Sequence, residues 1–324
     1  MNRTTLVLVG GFLGAGKTSL ILAAARLLEQ RGIRTAAILN DQGGALVDTQ
    51  LTMEHHIPAE QVTGGCFCCR YDDLARSISS LQAHNPEVIF AEPVGSCTDI
   101  AATVLRPLQS QTQLHIAPFT VLRDPSATIQ SEDPDIAYLY AKQLEEADLI
   151  RTTKADLYPE AELSARTGQG IAEWLQEVLA GTTTAGSRLL DIDYTRYARA
   201  EAALGWLNCE ATLKTTPTPP ASIAGPILDH ILQSRIHIAH VKLIVTAQTG
   251  YIKAALTSNQ QEPDVEGDLT ASPATQHQLR LNLRALNDPQ HLREIVEATL
   301  KSIPGQWRSM TIDSFRPAPP TRNI

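Results

Sequence analysis

The sequence predicts a three-layer α/β/α domain on a mainly parallel sheet, followed by a small α+β domain. Three observations predict it. Short apolar runs rich in β-branched residues alternate with helix-periodic segments through the first half. A glycine-rich loop joins the first such run to the first helix. Beyond the turn-rich stretch AGTTTAGS (180–187), the order changes to strand, helix, three strands, helix. The boundary is therefore set at 186/187, giving domains over 1–186 and 187–316 and a frayed Pro-rich tail over 317–324.

In the first domain TTLVLVG (4–10), TAAILN (35–40), EVIFAE (87–92), LHIAPFTVL (114–122) and ADLIRT (147–152) read as strands buried on both faces. Residues 17–30, 74–82 and 135–146 carry helical spacing between them, and IAEWLQEVL (171–179) adds a last helix. In the second, GWLNCEATLK (205–214), AHVKLIVTA (239–247), GYIKAALTS (250–258) and HQLRLNLRAL (277–286) read as strands. SIAGPILDHILQS (222–234) and DPQHLREIVEATLKSI (288–303) read as helices, and the polar stretch 260–275 as a loose loop.

The 324 residues carry 27 basic and 35 acidic side chains, a net charge of −8. No Lys/Arg stripe is present, which argues against nucleic acid as a partner. No apolar run approaches the roughly 20 residues of a membrane helix, and the N-terminus does not read as a signal peptide. Five cysteines without an even framework point to a reduced, cytoplasmic protein.

GFLGAGKT (11–18) is a complete G-x-x-x-x-G-K-[ST] loop between a strand and a helix. Gly11, Gly14, Ala15 and Gly16 turn backbone N–H groups toward phosphate oxygens at a helix N-terminus, and Ser19 follows in its first turn. Lys17 is placed to reach the β/γ-phosphates and Thr18 to bind Mg²⁺. VIFAEPVG (88–95) ends a strand on Glu92, a carboxylate for Mg²⁺ or the attacking water, with Gly95 three residues on to approach a γ-phosphate. TTKADL (152–157) carries Lys154 and Asp156 in an Asn-Lys-x-Asp-like guanine loop with Thr153 in the Asn place. SARTG (164–168) supplies the companion loop around Ala165. GGCFCCR (64–70) brings Cys66, Cys68 and Cys69 within four residues, a thiol set suited to a soft or borderline cation and too closely spaced for easy pairing among themselves. A redox role and plain burial are the alternatives. His55 and His56 are weaker candidates to complete that site, and Cys97 and Cys209 read as packing.

In this order the four motifs resemble the CobW-type P-loop GTPases, the family of zinc-regulated metallochaperones and relatives of the urease and hydrogenase nickel-insertion GTPases. The resemblance covers residues 1–180 or so. It implies GTP and Mg²⁺ at Lys17, Thr18 and Glu92, guanine read by Asp156, and a transition metal held by Cys66, Cys68 and Cys69. Zn²⁺ is the first expectation and Co²⁺ or Ni²⁺ the others. ILNDQGGALVD (38–48) departs from the usual Glu-Asn-Glu-Phe-Gly-Glu pattern: Leu39 and Gly44 stand at two acidic positions, leaving Asp41 as the nearby carboxylate and a further Mg²⁺ candidate. Only seven residues separate Asp156 from Ser164, where a helix and a strand normally fit, and no histidine-rich stretch is present.

The expected function is a GTPase whose nucleotide state controls metal binding or delivery, with the loop over 41–48 folding onto the γ-phosphate. The expected partner is a client metalloprotein or a cobalamin-related enzyme, and a homodimer is one option for assembly. The competing readings are a P-loop ATPase or small-molecule kinase with structural cysteines, and a nucleotide-dependent scaffold.

Overall fold

The computed structural model describes residues 3–44, 46–110, 114–128, 132–257 and 262–320. The chain divides into two compact units. The first runs to Gln42 and resumes from Leu51 to Ala200; the second comprises Gly43–Gln50 and Glu201–Pro317. The division thus falls past the 186/187 turn. The reason is α7 (Tyr194–Ala203), a helix absent from the sequence reading, whose Tyr197 is wholly buried and accepts a hydrogen bond from Thr98 N at 3.3 Å.

The first unit is built on β1 (Thr4–Gly11), β2 (Thr35–Asp41), β3 (Ala59–Thr63), β4 (Val88–Glu92), β5 (Leu114–Ile116), β6 (Thr120–Arg123) and β7 (Leu149–Thr152), all paired in parallel. The order is β3-β2-β4-β1-β6-β7, with β5 also on β1. β1, β2 and β4 are buried almost throughout, as continuous apolar runs in a parallel sheet should be. The run expected as one strand over 114–122 is two: β5 pairs with Thr4–Leu6 and β6 with Val9–Gly11. Pro118 between them has no N–H to continue the ladder.

The connecting helices are α1 (Lys17–Glu29), α2 (Val47–Glu54), α3 (Tyr71–Gln82), α4 (Arg106–Gln109), α5 (Pro134–Glu146) and α6 (Ile171–Leu179). α5 starts where Asp133 accepts from the N–H groups of Asp135 and Ile136 at 2.8 and 3.0 Å, with Pro134 in its first turn. Downstream of β7 the short connection makes one parallel bridge, Thr153 to Leu163. A single bridge stands where the resemblance implies a further strand.

The second unit comprises β8 (Gly205–Thr218), α8 (Ala221–Gln233), β9 (Ile238–Ala247), β10 (Gly250–Thr257), β11 (Asp264–Gly267), β12 (Ala274–Ala285), α9 (Pro289–Ser302) and β13 (Gln306–Phe315). The strands form one antiparallel sheet in the order β11-β10-β9-β12-β8-β13. Leu207, Leu213, Val241, Leu243 and Leu281 bury their side chains with Ile227 and Ile231 of α8 and Val296 of α9. Cys209 lies in this core, and burial pushes its thiol up to about 12. Two strands of this unit were not foreseen, as β3 was not in the first. β11 lies within the supposed loop 260–275, and β13 is a largely exposed edge with no apolar alternation to betray it.

Gly43–Gln50 belongs to this unit although the chain enters and leaves it from the other. Asp48 is ion-paired with Lys242 at 2.6 Å, and Val47 N donates to Asn282 Oδ1 at 2.9 Å. The stretch expected to cover a γ-phosphate is thus held, over these residues, by β9 and β12. Residues 321–324 of the tail lie outside the described residues. Among those described, no helix is long and apolar enough to cross a membrane.

Candidate functional site

The loop after β1 folds around glycine. Gly11, Gly14 and Gly16 have φ of 132°, 77° and 88°, values a side chain would strain, and a Cβ on Gly11 would stand 2.6 Å from the Leu122 carbonyl oxygen. Lys17 Nζ donates to the carbonyls of Gly11 and Phe12 at 2.9 and 3.2 Å, and lies 3.9 Å from Glu92 Oε1. Thr18 Oγ1 donates to Glu92 Oε2 at 2.8 Å. All three side chains are buried, so the unit places an ammonium, a hydroxyl and a carboxylate together at the end of β1 and β4. That donor set suits Mg²⁺ beside a triphosphate.

Gly95 packs onto the phosphate loop. A Cβ there would meet Leu13 Cδ2 at 2.7 Å and Leu13 N at 3.2 Å, so only glycine brings the Glu92–Gly95 segment this near. Asn40, at the end of β2, gathers the neighbouring loops: its Nδ2 donates to Val62 O at 3.0 Å and Gly65 O at 2.7 Å, and its Oδ1 accepts from Val94 N at 3.3 Å. An Asn at a strand end is ordinary, so nothing in the sequence marks it out.

The loops carrying Lys154–Asp156 and Ser164–Ala165 form one hydrogen-bonded piece. Asp156 accepts from Ser164 Oγ at 2.7 Å, and Ala155 N donates to Leu163 O at 3.0 Å. Lys154, at a φ of 65°, pairs with Asp124 at 2.6 Å. Thr153 donates to Ala15 O of the phosphate loop at 3.0 Å, tying base loop to phosphate loop through a shorter side chain than Asn. Ala165 is half-buried beside Ser164, and Ser19 is half-buried in α1. Asp41 ends β2 opposite Thr63.

The cysteine segment turns on Gly64 and Gly65, at φ of 77° and 153°. Cys69 N and Arg70 N both donate to Cys66 O, at 3.0 and 2.9 Å. The turn brings three sulfurs to one side. Cys69 Sγ lies 3.4 Å from Cys66 Sγ and 3.8 Å from Cys68 Sγ. Cys66 and Cys68 are joined as a disulfide, with Cα atoms 5.4 Å apart, which corrects the expectation that these thiols are too closely spaced to pair. Cys97 is no mere packing residue. Its Sγ lies 3.8 Å from Cys68 Sγ, and the sulfurs of Cys66, Cys68 and Cys97 all fall within 4.8 Å of one another. The signal for Cys97 was its place two residues beyond Gly95, on the loop that Gly95 packs against Leu13.

Loop 94–100 is fixed from α5. Gln143 Nε2 donates to the carbonyls of Gly95 and Cys97, both at 2.9 Å. Glu146 accepts from Thr98 Oγ1 at 3.1 Å and Ile100 N at 2.9 Å, and burial pushes its carboxyl up to about 8. His55 does not join the sulfurs; its ring lies 2.6 Å from Arg26 Nη2. Among the described residues the convergent group is made of cysteines alone.

A parallel α/β unit with this phosphate loop and a buried Thr–Glu pair at its mouth defines a P-loop nucleotide-binding protein. The chain belongs to the CobW/HypB/UreG family, whose nucleotide-binding domain its residues 5–178 match. The zinc chaperone YjiA of Escherichia coli (strain K12) is 36% identical over 104 residues, covering 31% of this chain and 32% of that protein. The match thus spans about a third of that relative. Among solved structures, zinc-bound YjiA GTPase from E. coli is similar at 16% identity and a TM-score of 0.33, over 93% of this chain and 99% of that one. HypB from Archaeoglobus fulgidus is similar at 20% identity and 0.37, over 55% and 89%.

Proposed function

We propose that the protein hydrolyses GTP and uses its nucleotide state to govern the binding or delivery of a transition metal, Zn²⁺ first. One observation carries this reading: loop 92–97 holds Glu92 at Thr18, Gly95 against Leu13 and Cys97 beside Cys68. A phosphate that shifts Gly95 shifts a sulfur two residues away.

Lys17 binds the β/γ-phosphates and stabilises the charge that develops on the leaving group; Thr18 and Glu92 hold the Mg²⁺ position. Mg²⁺, when bound there, would neutralise charge on the phosphate oxygens. Asp156 accepts from guanine N–H groups, Lys154 covers the base and the Ala165 N–H reads its carbonyl. Thr153 keeps this loop on Ala15. The cysteines supply thiolates that favour Zn²⁺ or Cu⁺ over oxygen-loving cations. The recipient is a metalloprotein or a cobalamin-related enzyme in the cytoplasm, and nucleic acid is not a partner.

Phosphate release from GTP and ATP, together with metal content with and without a non-hydrolysable GTP analogue, tests the proposal. Turnover of GTP over ATP and a metal content that changes with the analogue are expected. Equal turnover of both nucleotides by a protein that holds no metal after reduction contradicts it and favours the ATPase reading.

A further inference from the structure

A fourth sulfur, outside the contiguous C-x-C-C run, lies beside that of Cys68. From the convergence of Cys66, Cys68 and Cys97 we infer that Cys97 is a metal ligand, closing a four-sulfur site with Cys66, Cys68 and Cys69. The inference rests on the metal half of the function proposed above.

Three separations in the cluster are close to the edges of a thiolate tetrahedron, while the disulfide draws Cys66 and Cys68 closer together and Cys69 stands outside the group in which Cys66, Cys68 and Cys97 lie within 4.8 Å of one another. A zinc–sulfur bond of about 2.3 Å sets sulfur–sulfur edges of about 3.8 Å in a tetrahedral site. The separations here are 3.8 Å for Cys97–Cys68, 3.8 Å for Cys68–Cys69 and 3.4 Å for Cys66–Cys69. Cys66, Cys68 and Cys97 are buried and Cys69 is half-buried, so three sulfurs form the inner wall and Cys69 the outer one. Cys97 is also held in place. Its N–H donates to Val94 O at 2.8 Å and its carbonyl accepts from Gln143, so the sulfur is presented by a clamped backbone. No carboxylate or imidazole joins the group among the described residues. An ion held there is sulfur-bound, which selects Zn²⁺ or Cu⁺.

The disulfide and the metal site are alternatives for the same atoms. A thiol or phosphine reductant delivers two electrons to the Cys66–Cys68 bond, and each sulfur takes a proton. Four thiols then bind one Zn²⁺ as thiolates and release up to four protons to solvent. Cys69, the outer sulfur, is the ligand a recipient reaches first.

The test uses the full chain reduced with a trialkylphosphine under anaerobic conditions, with Co²⁺ as optical probe, Zn²⁺ in competition, and X-ray absorption on the zinc form. Wild type should bind one ion with four sulfurs. Cys97→Ser and Cys97→Ala should show three sulfurs with a weaker thiolate charge-transfer band. Their affinity should fall further than the roughly 10–100-fold typical of losing an outer-shell partner. A wild-type sulfur count of three, or variants with the wild-type spectrum and affinity, overturns the inference while leaving metal binding intact. Reduced wild type that takes up neither ion overturns the metal reading as well.

Discussion

Two regions of the first unit are built differently. The nucleotide end is made of short contiguous motifs, each carried by one strand and the loop after it: Gly11 to Thr18 after β1, Glu92 to Gly95 after β4, Thr153 to Asp156 after β7. The cysteine centre joins two segments far apart in sequence, the turn at Cys66–Cys69 and the loop at Cys97. A parallel sheet explains the contrast. Its strands all end on one side, so consecutive motifs gather there without further instruction. A thiol joins them only if a second loop is pulled into range, as Gln143 and Glu146 pull the loop carrying Cys97.

The largest effects should separate the two regions. Lys17→Ala should lower GTP hydrolysis on the order of 10²–10³-fold, followed by phosphate release, and leave metal uptake by the reduced protein intact. Cys68→Ala should abolish tight metal binding while retaining GTP binding without metal. If either variant loses both activities while still folded, the regions are one site and the contrast fails.

Next is Asp156→Asn. If Asp156 reads guanine as proposed, Asn loses the charge and presents an N–H donor to a guanine N–H, so GTP affinity should fall on the order of 10–100-fold and the preference over ATP narrow, in a competition binding assay. Unchanged preference would place base selection elsewhere.

Glu146 sharpens the account of how Cys97 is held. Its carboxyl titrates at about 8 in the folded protein against 4.5 when free, because burial disfavours the charge. The folded state therefore keeps a proton that the unfolded chain gives up. Stability from this group is complete below 4.5 and is lost as pH rises toward 8. Melting temperature should drop by several degrees between pH 5 and 8, and Glu146→Gln should flatten that slope. A parallel slope in the variant would remove Glu146 from the account.

The smallest effect is expected of Thr153→Val. It removes the hydrogen bond to Ala15 O, worth about 1 kcal/mol, so GTP affinity should weaken a few-fold by calorimetry. No change would mean that Lys154 and Asp124 alone hold that loop.

The same contrast explains what could be read from the sequence. That Lys17, Thr18 and Glu92 come together was legible because chemistry and spacing coincide within a few positions of the strand ends. The strands β1, β2 and β4 were legible as apolar runs, but β13, exposed along most of its length, was not. Cys97 was hidden because its partners lie some 30 residues away, and Asn40 because its work is done on backbone groups of other loops. The short Asp156–Ser164 connection was visible as a departure, yet only the fold shows one bridge at Leu163 closing it.

The central claim is that nucleotide and metal are coupled through loop 92–97. Its most direct measurement is the Zn²⁺ affinity of the reduced protein with and without a non-hydrolysable GTP analogue, paired with the analogue's affinity with and without Zn²⁺. The account predicts that both ratios are equal and lie at roughly 5–150-fold, a coupling of about 1–3 kcal/mol. Affinities that are the same in the presence and absence of the other ligand would contradict it.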